Sequence, residues 1–200
     1  MCCDTSGVPT KEMQRWWGAG ILVAAGLSFL PIGSFVLDPA TSQVEFFVPD
    51  NRGGFTGVAR TVQTTAAIRE REGTFTADVD AHIDARSITT GSGLRDAQMH
   101  RDFLVSDQYP VMAFQGTAVP TGSLAALSFP ARVTGQLTIK GMTHDVEFPV
   151  RVIALQDNYL VNGKFTLRMT DFGIPIPRFF IFAASDPVVV TMRLRFTSSP

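Results

Sequence analysis

The residues best suited to chemistry are three histidines, His82, His100 and His144, and a run of charge between Arg95 and Asp107. Thirteen positions hold Arg95, Asp96, His100, Arg101, Asp102 and Asp107, in a chain that is only 18% charged. Asp96 and His100 stand four apart, a spacing that would set two metal ligands on one helix face. A metal needs further ligands, and the same spacing serves equally well as a solvated pair on a surface helix. Asp80 and Asp84, four apart on a strand, would lie about 13 Å from each other, too far for the carboxylate pair of a glycosidase. Asp171-Phe172-Gly173 spells a kinase metal-binding triplet, but no glycine-rich or catalytic loop precedes it. The sequence contains no G-x-S-x-G, H-E-x-x-H, phosphate loop or G-x-G-x-x-G. No metal and no cofactor is therefore expected, and any enzyme would have to be built from Asp96, His100 or Asp102.

These residues must be positioned by strands. From about residue 35 the pattern has a period of two. Thr74 to Asp84 puts Phe75, Ala77, Val79, Ala81 and Ile83 on one face, with Thr76, Asp78, Asp80 and His82 on the other. That pattern reads as an antiparallel strand with one wet side. The alternation recurs at Val146–Val152, Phe165–Met169 and Val188–Phe196, and more briefly from Val44, Val111 and Arg132. With the region Gly57 to Ile68 this predicts about eight strands. His82 and His144 fall on or beside positions that face away from the apolar side.

Turn signals separate the runs: Asn51 to Gly54, Glu72-Gly73, Pro120 to Gly122, Lys140-Gly141 and Asn162-Gly163. Short turns between alternating strands predict a meander, which closes into a barrel or folds into a sandwich. One stretch breaks the alternation. Between Ser92 and Leu104 the apolar residues recur at helical steps, Asp96 lies near the helix start and Pro110 bars continuation. This predicts one short helix whose charges face water and whose Leu94, Met99, Phe103 and Leu104 cover a cavity. Phe46, Phe114, Phe148, Phe165 and Phe172 are the bulky inward candidates to line it, and the pattern leaves a filled core and a hollow barrel equally open.

Net charge is −1, and no basic stripe interleaves with aromatics, so nucleic acid is not an expected partner. Trp16 to Leu37 carries no charge and follows Lys11 and Arg15. That is the layout of an export signal, and it is also about the length of a membrane span. Residues 1–34 are accordingly expected to be a signal or an anchor, the anchor attaching to a membrane through 16–37. Residues 35–200 then form a single domain outside the cytosol. Cys2 and Cys3 precede this run, which leaves the folded part without a disulfide or a thiolate site.

Five ordered segments resemble the YceI-like lipid-binding family. They are Phe35 to Val48, Gly53 to Gly57, the stretch ending Tyr109-Pro110 with Phe114 four residues on, Val133 to Val150 with its G-x-L-T-I-x-G-x-T, and Phe165 to Ile174. The resemblance implies an all-β fold: a lipocalin-like, eight-stranded antiparallel barrel, periplasmic or secreted. It implies a long apolar tunnel for an isoprenoid chain or a fatty amphiphile, a carrier or storage role without catalysis, and in some members a homodimer. This chain departs from the family by placing Gln98 where many relatives have His, with His100 two places later. A quinone-presenting accessory to a membrane redox partner is the alternative, and an enzyme using the polar helix comes third.

Overall fold

The computed structural model describes residues 32–156, 158–179 and 182–199. The signal or anchor expected in residues 1–34 and Cys2 and Cys3 therefore lie outside the described residues, apart from the few positions from 32 onward. Among the described residues no helix is long and apolar enough to cross a membrane.

The chain is almost entirely strand: β1 (Gly33–Leu37), β2 (Gln43–Val48), β3 (Phe55–Ala59), β4 (Val62–Arg71), β5 (Thr74–Asp84), β6 (Ile88–Thr89), β7 (Val111–Pro120), β8 (Ser128–Ile139), β9 (Met142–Leu155), β10 (Asn158–Arg168) and β13 (Pro187–Ser198). A small hairpin, β11 (Arg178–Phe179) with β12 (Phe182–Ala183), stands outside the main sheet. Every pairing is antiparallel, and β13, the last strand, pairs back onto β1.

Some of these strands are halves of one stave. β1 and β2 follow each other along the same edge of β13, with Leu37 opposite Phe196 and Gln43 opposite Arg193. Between them the chain steps out in a turn in which the Asp38 carboxylate accepts from Ala40 N at 3.0 Å and Thr41 Oγ1 at 2.6 Å. β3 and β4 pair β2 and β1 in the same broken manner, and β6 continues β5 against β3. The result is eight staves in meander order, closed into a ring. Closure excludes a sandwich and leaves the ring without a free edge.

The turns explain the register. Glu72-Gly73 and Lys140-Gly141 each hold two successive positive φ angles, 54° and 76°, 51° and 75°. That is the two-residue turn whose twist matches a hairpin. Asn162-Gly163, expected as a turn, instead lies inside β10, with Gly163 between Met192 of β13 and Val150 of β9. A Cβ there would stand 2.8 Å from Met192 Cε and 3.0 Å from Val150 Cγ1, so the glycine serves close packing inside the barrel rather than a bend.

The expected helix is present but divided. α1 (Gly93–Gln98) runs into a wider π-turn over Met99–Leu104. Val105 ends it in the left-handed region at φ 48°, an uncommon conformation for a β-branched residue. A short 3₁₀ turn, Met169–Phe172, links β10 to the C-terminal part. Asp186 pins that turn to the start of β13: it accepts from Arg168 Nε at 2.8 Å, Thr170 N at 2.9 Å and Thr170 Oγ1 at 2.8 Å.

Candidate functional site

Inward residues of every stave line an apolar bore. The face read from β5, Phe75 through Ile83 in alternate positions, forms one wall of a chamber of about 210 Å³. Ala118, Ala131, Val133, Val150 and Met192 contribute others. A second chamber of about 670 Å³ lies towards the helix. The two share Val44, Ile83, Leu137, Phe165 and Val190, so they are successive lengths of one bore. Its size falls within the range of small-molecule sites, and its lining is of their apolar kind.

The structure places most of the sequence-derived site residues on this bore. Phe114 and Phe148 line the deep chamber with their rings 6.0 Å apart, and Phe148 stacks on Phe165 at 4.5 Å and 14°. Phe46 lines the chamber beneath the helix, together with Leu94, Met99, Phe103 and Leu104. Leu94, at 86% exposure, stands on the rim. Phe172 lines neither chamber. It is 1% exposed, buried in one core cluster with Met169 and Val188, which do line the chamber beneath the helix, and has the His144 ring edge-on at 5.1 Å.

The polar groups of the helix are mostly structural. Arg101 and Asp102 pair at 2.7 Å at the solvent-exposed rim of the chamber beneath the helix. Asp96 and His100, expected to face water, are partly buried and bonded instead. The Asp96 carboxylate accepts from Thr89 Oγ1 at 2.7 Å, Thr90 N at 2.8 Å and Thr90 Oγ1 at 2.5 Å. Burial opposes its ionisation, but those hydrogen bonds outweigh burial and hold the carboxyl below the usual range. His100 bridges Ile88 O through Nε2 at 3.0 Å and Ser106 Oγ through Nδ1 at 3.2 Å. A carbonyl only accepts, so Nε2 donates to Ile88 O, while the Ser106 hydroxyl engages Nδ1. With both nitrogens engaged, His100 holds the helix to β6 and has no free lone pair for a metal. Arg95 donates to Thr90 Oγ1 at 2.8 Å and lies 4.4 Å over the Phe55 ring.

His82 faces out and bonds Asp80 at 2.7 Å. His144 sits opposite Leu137, and so on the inward row, contrary to the sequence reading, although at the barrel's exposed rim. Among the described residues no group of three or more His, Cys, Asp or Glu comes together as a metal site. Arg95, Arg101 and Arg178 are the cations lining the chamber beneath the helix. The deep chamber has no charged lining residue.

Sequence reading missed Tyr159. It lies at the far end of the bore from the helix, in a cluster with Phe35, Leu37, Phe129 and Phe196, its ring edge-on to Phe35 at 5.0 Å and 81°. Leu124, from the β7–β8 loop, packs against that cluster. Tyr159 is 5% exposed, and its hydroxyl has no hydrogen-bond partner among the described residues. Burial pushes the phenol up to about 12. The alternation Tyr159, Val161, Gly163, Phe165, Leu167 was the available signal, obscured by reading Asn162-Gly163 as a turn.

A closed meander of eight antiparallel staves around an apolar bore defines a lipocalin-like barrel. The YceI-like domain model matches residues 35–196, and the chain belongs to that family. Among solved structures it is similar to BcnA of Burkholderia cenocepacia, with a TM-score of 0.67 and 21% identity over 80% of this chain and 98% of that one. It is similar to a polyisoprenoid binding domain from Saccharophagus degradans implicated in plant cell wall breakdown, with a TM-score of 0.63 and 16% identity over 84% and 100% of the two chains. The Campylobacter jejuni YceI protein follows, with a TM-score of 0.57 and 17% identity over 72% and 85%. At these identities the likeness is one of fold. No match to a curated protein was found.

Proposed function

We propose that this protein binds a long isoprenoid chain, or a similar amphiphilic lipid, in the bore of its barrel, and carries or stores it without chemical change. The observation that carries this reading is the continuity of the bore: two apolar chambers joined through shared wall residues, one of them open beneath the helix. Each methylene buried there contributes about 0.8 kcal/mol, offset in part by the ordering of a flexible chain. Phe46, Phe114, Phe148 and Phe165 contact the chain. Leu94, Met99 and Phe103 cover it, and Arg95, Arg101 and Arg178 meet a polar end at the mouth. The polyisoprenoid-binding description of the Saccharophagus relative supports this ligand class. A non-catalytic role agrees with the bonding of Asp96 and His100, which are committed to holding the helix. Residues 1–34 serve as an export signal or inner-membrane anchor, so the barrel works in the periplasm or outside the cell, as a monomer or a homodimer.

The test is uptake of a long-chain polyprenol by delipidated full-length protein, followed by gel filtration. The wild type is expected to co-elute with the polyprenol. Phe103→Asp, which puts a charge on the apolar cover, is expected to lose retention more than His100→Ala. No co-elution with the wild type would overturn the proposal, and the reverse ranking would return attention to chemistry at the helix.

A further inference from the structure

On the reading of the bore as a lipid site, on which this inference rests, we propose that its mouth selects an anionic head group, a phosphate or carboxylate on the outer end of the bound chain, through Arg95 and Arg178. Three arginines line the chamber beneath the helix, Arg95, Arg101 and Arg178, and among the described residues no acidic side chain lines either chamber. Arg101 is already neutralised, because its Nε and Nη2 both donate to the Asp102 carboxylate at 2.7 Å. The other two are not. The Arg95 guanidinium donates only to uncharged oxygens, the Thr90 hydroxyl at 2.8 Å and the Thr90 carbonyl at 3.3 Å. The Arg178 side chain has no hydrogen-bond or ionic partner among the described residues.

Both of these cations are tied to one loop, the connection between β2 and β3. Arg178 pairs Ala183 in the small hairpin, and Ala183 exchanges two hydrogen bonds of 3.3 Å with Asn51 of that loop. The next residues along, Asp50 and Ala184, form a bridge of their own. The same loop leads into Phe55, whose ring carries the Arg95 guanidinium at 4.4 Å. The neighbouring acids are occupied. Asp96, on the far side of Thr90 from Arg95, accepts from Thr89 and Thr90, and Asp50 accepts from Arg52 N at 2.6 Å and Gly54 N at 2.8 Å, with the Arg52 charge beside it. Guanidinium groups meet phosphate and carboxylate oxygens in a two-pronged geometry, and hold them more strongly than they hold neutral oxygens. A head group at this mouth keeps contact with water while its chain takes the uncharged bore. Carried inwards, the same anion would be buried without compensation, because no charged side chain lines the deep chamber.

Affinities of delipidated full-length protein for a polyprenol and for its monophosphate, with inorganic phosphate as competitor, test this. In low salt the wild type is expected to bind the monophosphate about tenfold tighter than the alcohol, a preference that shrinks at about 1 M salt. Arg178→Gln should lower the preference about threefold. Asp102→Asn, which frees Arg101 from its partner, should raise it about threefold, a gain that misfolding does not imitate. Inorganic phosphate at the concentration of the lipid should displace neither ligand, since it lacks the chain. Equal or weaker binding of the monophosphate by the wild type, or a preference that neither substitution moves, overturns the anionic subsite and leaves the lipid-binding reading standing. Displacement of the monophosphate by inorganic phosphate would mark a site for the free anion and overturn its assignment to a lipid. Should neither lipid bind the wild type, both readings fall.

Discussion

Phe114 lies over a strip of bare backbone where Gly116 and Gly135 face each other across β7 and β8. A Cβ on Gly116 would fall 2.6 Å from Phe114 Cζ, and one on Gly135 would fall 2.9 Å from it. Phe46 covers Gly57, its cross-strand partner, in the same way. An aromatic ring laid on a strand glycine protects the backbone and leaves the middle of the barrel empty. A Cβ on Gly135 would also crowd Gln115 O and fall 2.6 Å from Gly116 Cα, so Gly135→Ala is expected to strain the β7–β8 pairing as well as push the Phe114 ring towards the deep chamber. It should cost about 1–3 kcal/mol and reduce lipid uptake, read by thermal melting and by polyprenol co-elution. Tyr159 gives a second expectation at this scale. Its folded value, about 12, lies above the ordinary 10.0, because burial disfavours the phenolate. Its contribution is intact below pH 10 and is lost as pH rises towards about 12. Denaturant midpoints of the wild type should fall through that window more steeply than those of Tyr159→Phe; parallel curves would mean that the phenol is not buried in solution.

At the scale of elements, the divided helix is held over the bore by side chains that the sequence offered as candidates for chemistry. Asp96 fastens Thr89 and Thr90 and His100 fastens Ile88 and Ser106, so the helix is tied at both of its halves. Asp96→Ala should leave three donors without their acceptor and cost about 1–3 kcal/mol at neutral pH. Because the folded carboxyl titrates below its ordinary 3.8, that contribution is present above 3.8 and disappears as pH falls through the lower folded value. The wild-type and Asp96→Ala stabilities should then converge in acid, as followed by circular dichroism. Element identity was legible where a face repeats over many residues: the inward row of β5 was read residue by residue, because alternation over eleven positions has one solution. The division of the helix was not legible, since the π-turn is set by where Val105 and Ser106 must meet His100. Gly163 was misread because a glycine that admits a neighbour and one that makes a turn are the same letter.

The whole molecule is a ring whose closing pair joins its first and last strands, Phe35 to Ser198. That contact joins the two ends of the described chain, and alternation alone could not supply it; the barrel and the sandwich differ in this closure of the last strand onto the first two. The family resemblance supplied it, through motifs spread from Phe35 to Ile174. Whether the bore was hollow was equally hidden from pattern, because hollowness depends on how many inward positions are small, such as Ala77, Ala81, Ala118 and Ala131 along the deep chamber, and on glycines that let rings lie flat against the wall. On the proposed function, this bore holds a long apolar chain. Native mass spectrometry of the full-length protein purified from cells, paired with an organic extract of the same sample, tests it most directly. The expected mass exceeds that of the polypeptide by one extractable long-chain amphiphile. A spectrum of polypeptide alone, together with failure to take up added polyprenol, would contradict it.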